Sequence, residues 1–402
     1  MNNLGLQRHL LEMTELSPAP SVTVHAAIAE IPALAWDACA GTANPFVSHA
    51  FLAALEQAGS VGAATGWQPC HLALRDGGGA VLAVVPLYLK THSMGEYVFD
   101  HAWAEASHRA GRRYYPKLQG AVPFTPVPGP RLLIGPAIPA DLARRALAQA
   151  MIALCGQIGA SSVHVTFAEP ADVAALTAAG FLLRLGWQYH WHNDGYTTFD
   201  DFLAALSSRR RKAIRKERDA VAASGIGLST LVGDDIKPHH WDSFHRLYQA
   251  TCDRKWGEAY LNRAFFECLS ASAVGEKAVL ILAIQDGETV GAAFNMLGED
   301  CLFGRNWGGA AIEAPFLHFE ACYYRAIDFA ISHRLGRVEA GAQGEHKIAR
   351  GYLPVPTRSA HWVSAPDLRG AVGRFLDHER AVVERHIAEQ RADGPFRCSG
   401  SE

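Results

Sequence analysis

A lysine, a glutamate and a histidine stand together in Gly341-Ala342-Gln343-Gly344-Glu345-His346-Lys347-Ile348-Ala349-Arg350-Gly351-Tyr352, directly after the strand-like Arg337 to Ala340. Loops at strand ends are where active sites are commonly assembled. These residue types suit acyl transfer, which needs a base for the incoming amine and a positive group for the developing oxyanion. Lys347 would supply the charge, an effect worth roughly 3 kcal/mol per well-placed donor. Glu345 or His346 would move protons, with Gln343 and Arg350 as polar neighbours able to touch substrate. The blander reading is a surface turn whose charges are merely hydrated.

Further candidates lie elsewhere in the chain. Ser207 to Arg218 packs seven basic residues into ten positions, Arg209 to Arg218, of a chain whose formal net charge is -3. Guanidinium groups on adjacent helical turns can grip phosphate oxygens in pairs, and the two opening serines can cap the helix near an anion. A solvated helix face is the alternative. Phe99-Asp100-His101-Ala102-Trp103, Tyr114-Tyr115-Pro116-Lys117-Leu118-Gln119 and Pro123 to Arg131 form a long aromatic and proline-rich stretch between strands. It reads as an ordered pocket wall. Tyr115, Lys117 and Arg131 would then contact substrate, the two cations as anion ligands, and Asp100 would assist proton removal. Asn306, at the end of a strand, could donate to a carbonyl, with Trp307 beside it as packing. His318 and Glu320 lie two apart and point in different directions. With no HExxH spacing no metal is expected, and without GxxxxGK[ST] or a strand-borne GxGxxG there is no support for nucleotide hydrolysis or dinucleotide redox chemistry.

The elements that must position these residues come in two copies. Trp36-Asp37, Phe51-Leu52 and the run from Cys70 to Lys90 recur in order as Trp241-Asp242, Phe265-Phe266 and the run from Ala278 to Gly298. Ser162-Val163-His164-Val165, Gly180-Phe181 and His190-Trp191 recur as Arg337-Val338-Glu339, Gly351-Tyr352 and His361-Trp362. Within the copies, His71 to Arg75 and Ala80 to Leu89 read as a hairpin about Asp76-Gly77-Gly78-Gly79; Ala278 to Gln285, Thr289 to Leu297 and Cys301 to Trp307 read as a meander. Helices are expected over Leu142 to Ile158, from Phe316 to Ile331, over Pro366 to Arg391, and as two short pieces from Phe199 to Arg218. Each half is therefore an α/β or α+β unit. A chain of 402 residues suits two domains. Expected divisions are 20–195, a basic helical segment at 196–230, and 231–392 with its terminal helix.

Composition narrows the class. With 49% apolar and 19% charged residues the chain is globular, and its near-balanced charge makes any phosphate affinity local. Eight cysteines without a close pair suggest reduced thiols in a cytoplasmic protein. The N-terminus lacks a secretory pattern, and no apolar run approaches the roughly 20 residues that span a bilayer.

Longer blocks carry a family resemblance. Asn44-Pro45-Phe46 with Ser48-His49-Ala50-Phe51-Leu52, Tyr114 to Leu118 with Pro123-Phe124-Thr125-Pro126 and Gly129 to Leu133, Leu317-His318-Phe319-Glu320, and Gly341 to Lys347 resemble the FemAB-like family of N-acyltransferases over most of the chain. The basic stretch Arg210-Arg211 to Ile214-Arg215-Lys216, and Lys347 before Gly351-Tyr352, are similar to the wider Fem-type aminoacyl transferases. The resemblance implies two tandem acetyltransferase-like (GNAT) domains with mixed, largely antiparallel central sheets. It implies phosphate contacts at Arg211 and Arg215 and a carbonyl-stabilising role for Lys347. Two departures stand out. Gly344-Glu345-His346 replaces the aromatic that usually precedes the lysine, and the Q/R-x-x-G-x-G/A signature of coenzyme A binders is missing after a strand.

The expectation is an N-acyltransferase forming an amide on a peptide-like or small, phosphate-bearing acceptor. It would hold no tight cofactor and use acyl-CoA or aminoacyl-tRNA as co-substrate, with tRNA as a partner in the latter case. The alternatives are a non-catalytic recognition protein binding a cell-wall peptide or sugar phosphate between the domains, and a protein that grips RNA through its basic stretch. Oligomeric state stays open.

Overall fold

The computed structural model describes residues 20–255, 257–310, 314–341 and 344–397. In chain order the first half runs β1 (Ser21–His25), α1 (Ala33–Ala40), α2 (His49–Gln57), β2 (Trp67–Pro69), β3 (His71–Arg75), β4 (Val81–Val85), β5 (Leu87–Lys90), α3 (His101–Arg109), β6 (Lys117–Gly120), β7 (Leu133–Ile134), α4 (Ala140–Gln157), β8 (Ser162–Val165), α5 (Pro170–Ala178) and β9 (Leu182–His192). The second runs α6 (Phe199–Ala205), α7 (Ser208–Ala222), β10 (Gly227–Val232), α8 (Pro238–Lys255), α9 (Arg263–Ser270), β11 (Ala278–Gln285), β12 (Glu288–Leu297) and β13 (Cys301–Gly309). Next comes α10, a helix in three pieces: Leu317–Phe319, a π-turn Glu320–Tyr324, and Arg325–Ser332. The chain then forms β14 (Arg337–Glu339), a 3₁₀ turn Glu345–Arg350, β15 (Leu353–Val363) and α11 (Pro366–Ala392).

The fold is mixed α/β, and the same order recurs in both halves. Equivalent helices even share their capping. Ser48 accepts from Phe51 N–H at the start of α2, and Asn262 accepts from Phe265 N–H at the start of α9. The two helices then meet, Phe51 edge-on to Phe265 at 5.7 Å, inside one apolar core drawn from both halves. The meander forms as its turn chemistry dictates, with Asp286 and Gly287 at positive φ between β11 and β12. The first-half run breaks differently. Pro86 has no N–H for a ladder, so β4 ends before it and β5 begins after it in another sheet.

The small sheet has the order β1-β3-β4-β7, and the large one β10-β11-β12-β13-β14-β9-β15-β8-β6-β5-β2. Among the described strands, β6 with β8 and β13 with β14 pair in parallel, and the other pairs are antiparallel. The middle of the large sheet is an exchange. β9, from the first half, lies against β14 of the second, and β15, from the second, lies against β8 of the first. The β9–β15 ladder is itself symmetric. His190 pairs with Leu353, and their equivalents His361 and Leu182 pair with each other, which puts a pseudo-twofold axis at the Gly186–Thr357 pair.

Candidate active site

A cleft of about 610 Å³ opens on that axis, with Gly186 and Thr357 in its lining. Rings and aliphatic groups from Tyr97, Phe99, Phe167, Trp187, Tyr189 and Val383 make most of its wall. Its polar groups are held in place by neighbours. The Arg184 guanidinium donates to both oxygens of Glu379 on α11 at 2.8 and 2.9 Å and to Phe99 O at 2.7 Å. Gln188, 2% exposed, donates to Pro126 O at 2.6 Å, which turns its amide oxygen toward His190 Nε2, 3.4 Å away. Tyr189 donates to Gln390 at 2.9 Å. Gly344 and Glu345 complete the wall from the loop after β14.

That loop carries the residues singled out from the sequence. Glu345 is exposed and faces the cleft. Lys347 is 2% exposed, behind the cleft wall, with its ammonium 6.0 Å from the centre of the Tyr189 ring and donating to Gly341 O at 3.0 Å. Burial pushes its pKa down to about 8, and among the described residues no carboxylate stands within ion-pair distance. A buried cation that meets no carboxylate among the described residues favours a ligand that brings negative charge. His346 is exposed but turned away, Nε2 2.9 Å from the Tyr323 hydroxyl amid the rings of His318 and Phe319. Arg350 grips Glu217 on α7 at 2.9 Å and lies 3.4 Å over the Phe319 ring, so it fastens the loop to that helix. Gln343 lies outside the described residues.

The first-half candidates do not reach the cleft as ligands. Lys117, 1% exposed, spends its three N–H groups on Ser93 (2.8 Å), Glu96 (2.7 Å) and Asp100 (2.5 Å), so none remains for an anion. Burial works against the Asp100 charge, yet Lys117 and His164 hold the carboxyl well below the usual range, and Tyr114 also donates to it at 2.6 Å. A carboxylate that acidic is a poor base at neutral pH. Arg131, 1% exposed, is spent on the carbonyls of Thr166, Pro130 and Val127, where it braces its own loop. These three expectations are corrected by saturation and burial. Tyr115 hydrogen-bonds Ser93 at 2.8 Å on the rim of the same cluster. Asn306, on β13, keeps a buried side-chain oxygen without a hydrogen-bond partner among the described residues.

On α7 the basic run divides by depth. Arg218 is paired with Glu320 (3.1 Å) and Asp328 (2.7 Å), and Arg215, exposed, reaches Asp200 at 3.1 Å. Arg211 is half-buried and has no ion pair among the described residues, with Arg209, Lys212 and Lys216 exposed nearby.

The strand exchange assembles groups that local sequence patterns do not single out. On one face of the large sheet His164 opposes His361, Nδ1 to Nδ1 at 2.7 Å, and at the pseudo-equivalent place Glu339 opposes His190, Oε2 to Nε2 at 3.8 Å. In the sequence these four serve only as landmarks of the duplication. The repeat is the signal that could have found them, once the final strands are known to swap. Among the described residues no three His, Cys, Asp or Glu side chains gather as a metal ion would require, and no helix is long and apolar enough to cross a membrane.

A family model for FemAB-like proteins, described as peptidoglycan biosynthesis/recognition, matches residues 27–398. No curated protein matches the chain. Among solved structures, the C-terminal domain of an Agrobacterium fabrum protein assigned as a lysylphosphatidylglycerol synthetase is similar at 9% identity, over 86% of this chain and 94% of that one, with TM-score 0.50. FemX is similar at 12% identity over 77% and 92%, TM-score 0.49. A tandem GNAT protein from the clavulanic acid biosynthesis pathway is similar at 13% over 86% and 99%, TM-score 0.46. At such identities the likeness is one of fold.

Proposed function

The chain belongs to the FemAB-like family of peptidoglycan biosynthesis/recognition proteins, and from that premise we propose that it is an N-acyltransferase. It moves an acyl or aminoacyl group from an activated ester or thioester, aminoacyl-tRNA or acyl-CoA, to an amine on a peptide-like or small acceptor, and it does so in the cytoplasm. The proposed units are 20–195, the basic segment 196–230, and 231–392.

The observation that carries the reading is Lys347, a buried ammonium with no carboxylate partner among the described residues, on the loop that supplies Gly344 and Glu345 to the cleft. Attack of an amine on a carbonyl drives negative charge onto the carbonyl oxygen, and a cation already desolvated pays little reorganisation to meet it. Glu345 is the wall carboxylate nearest in sequence to that charge and orients the amine. Where the acceptor carries phosphates, Arg211 and the exposed cations of α7 hold them outside the cleft, since Arg184, the arginine in its lining, is already neutralised by Glu379. The similarity of the basic stretch and of the Lys347 block to Fem-type aminoacyl transferases makes aminoacyl-tRNA the first donor to try.

The test is to incubate the purified chain with alanyl-tRNA or acetyl-coenzyme A and an amine mixture, and to follow amides by mass spectrometry. Lys347→Ala is expected to lower the rate by about 100-fold or more, the effect of losing an oxyanion donor. Unchanged transfer with every active donor refutes the role of Lys347, and saturable binding without product makes the protein a recognition module.

A further inference from the structure

We infer that Glu339, set against His190 under the cleft, is the proton acceptor of this site; the inference rests on the acyl-transfer reading. Neither residue belongs to the loop that drew attention in the sequence. One histidine stands at each equivalent place on the exchanged strands, His361 on β15 and His190 on β9, and each faces the strand of the opposite half.

The two places have diverged. In the first half the partner is His164, and the two rings are tied to each other: the Nδ1 atoms share a hydrogen bond, His164 Nε2 meets Ser162 at 2.7 Å with Asp100 3.8 Å away, and Trp103 lies edge-on to His361 at 5.0 Å. In the second half the partner is a carboxyl group. Glu339 is 4% exposed, its Oε1 accepts from Arg337 at 3.1 Å, and its Oε2 is buried with no hydrogen bond among the described residues. That oxygen lies 3.8 Å from His190 Nε2, which in turn lies 3.4 Å from the amide oxygen of Gln188 on the cleft wall. Two acceptors, Gln188 Oε1 and Glu339 Oε2, thus face the same ring nitrogen, so Nε2 carries the hydrogen, and His190 stands between the cleft wall and Glu339.

The charges around this path set its protonation. Burial raises the Glu339 carboxyl to about 7 against the pull of Arg337, Cys301 and, farther off on β13, Arg305. Burial lowers His190 to about 3, helped by His192, Arg337 and Lys347. The imidazole therefore stays neutral, and the pair holds one exchangeable proton, on Glu339 below neutrality and absent above it. An acceptor pKa near the working pH is what general-base catalysis requires.

The step balances as follows. An acceptor ammonium carries three protons. One is taken up by His190 at Nδ1 while its Nε2 hydrogen passes to Glu339, freeing the lone pair; the nitrogen–carbon bond forms as the carbonyl's bond to the ester oxygen or thioester sulfur breaks. A second proton leaves with that group, and the third stays on the amide. Glu339 then returns its proton to water.

Isotope-edited infrared spectroscopy of the full chain between pH 5 and 9 reads the carboxyl group without any substrate. A carboxylic C=O band that disappears around neutrality in the wild type and is missing from Glu339→Gln is expected; no such band overturns the inference, whatever the donor screen finds. Where the wild type transfers from alanyl-tRNA or acetyl-coenzyme A, Glu339→Gln is expected to be slowed about 100-fold with an alkylamine, the usual contribution of a positioned base. The same variant is expected to keep wild-type rates with hydroxylamine, which is already neutral at pH 7.5, and Glu339→Asp to recover part of the alkylamine rate. Equal loss with both nucleophiles overturns the inference in favour of a structural role. Loss of transfer in Lys347→Ala with both nucleophiles leaves the carbonyl-stabilising reading standing, so the two ideas fail separately.

Discussion

Replacing Lys117 with methionine isolates the buried ion cluster of the first half. Methionine fills most of the lysine's volume, so packing changes little and the charge is the main loss. Glu96 and Asp100, with side chains 1% and 2% exposed, are left facing each other without the ammonium. Removing one partner of a buried ion pair costs about 3–5 kcal/mol, because the other charge stays desolvated. The cost should also depend on pH. In the wild type Asp100 is held ionised well below its usual range, so its contribution persists above the unfolded-state value and fades only as pH falls through the lower folded value. In Lys117→Met, burial, the largest influence on both carboxyls, outweighs what remains, Lys90 near Glu96 and His164, Ser93 and Tyr114 at Asp100, so both are raised and the folded variant binds more protons than its unfolded state. Its stability therefore rises as pH falls from 7.5 toward 5, narrowing the gap to wild type by about 1–3 kcal/mol. Urea unfolding followed by tryptophan fluorescence at the two pH values reads both quantities. Adding Asp100→Asn removes one orphaned charge and should recover about half of the loss at pH 7.5. A single variant within about 1 kcal/mol of wild type, or a gap equal at both pH values, refutes the assignment of Lys117 and Asp100 as a structural pair.

Three further outcomes are expected. Lys347→Met should raise stability by about 2 kcal/mol at pH 7, because it removes a charge that folding desolvates; since the folded lysine releases its proton near pH 8 and the unfolded one near 10.5, the advantage should fade across that window in urea titrations. Arg211→Ser should change the stability read by urea unfolding by less than about 0.5 kcal/mol while weakening phosphate-ligand binding and flattening its salt dependence, whereas Arg218→Ala, which leaves the buried Glu320 with Arg325 alone, should cost about 2 kcal/mol. Gly186→Leu should block the cleft, since even a Cβ there meets Thr357 Oγ1 at 3.0 Å; calorimetry with the acceptor identified by the donor screen should show binding lost, with stability reduced by no more than about 3 kcal/mol.

How much of this was written in the local sequence depends on the range of the interaction concerned. Element boundaries follow from neighbours in the chain. The Asp286-Gly287 turn, the Ser48 and Asn262 caps and the β11 to β13 meander all sit where their short-range chemistry puts them. The loop from Gly344 to Arg350 was legible too, as a concentration of reactive side chains after a strand. Burial was not legible. Lys117 and Arg131 look like anion ligands until their donors are seen to be spent within 3.0 Å on partners up to 35 residues away. Least legible was the exchange of β9 and β15, because strands of equal length and similar pattern fit either sheet, and nothing local selects the distant partner. Yet the exchange decides the chemistry. It carries Gln188 and His190 of the first half beside Glu339 and Gly344 of the second, and it places the cleft on the seam between them. Each half lends the strand that completes the other's sheet, so neither half alone holds both walls of the cleft, and the site is a property of the duplicated chain rather than of either copy.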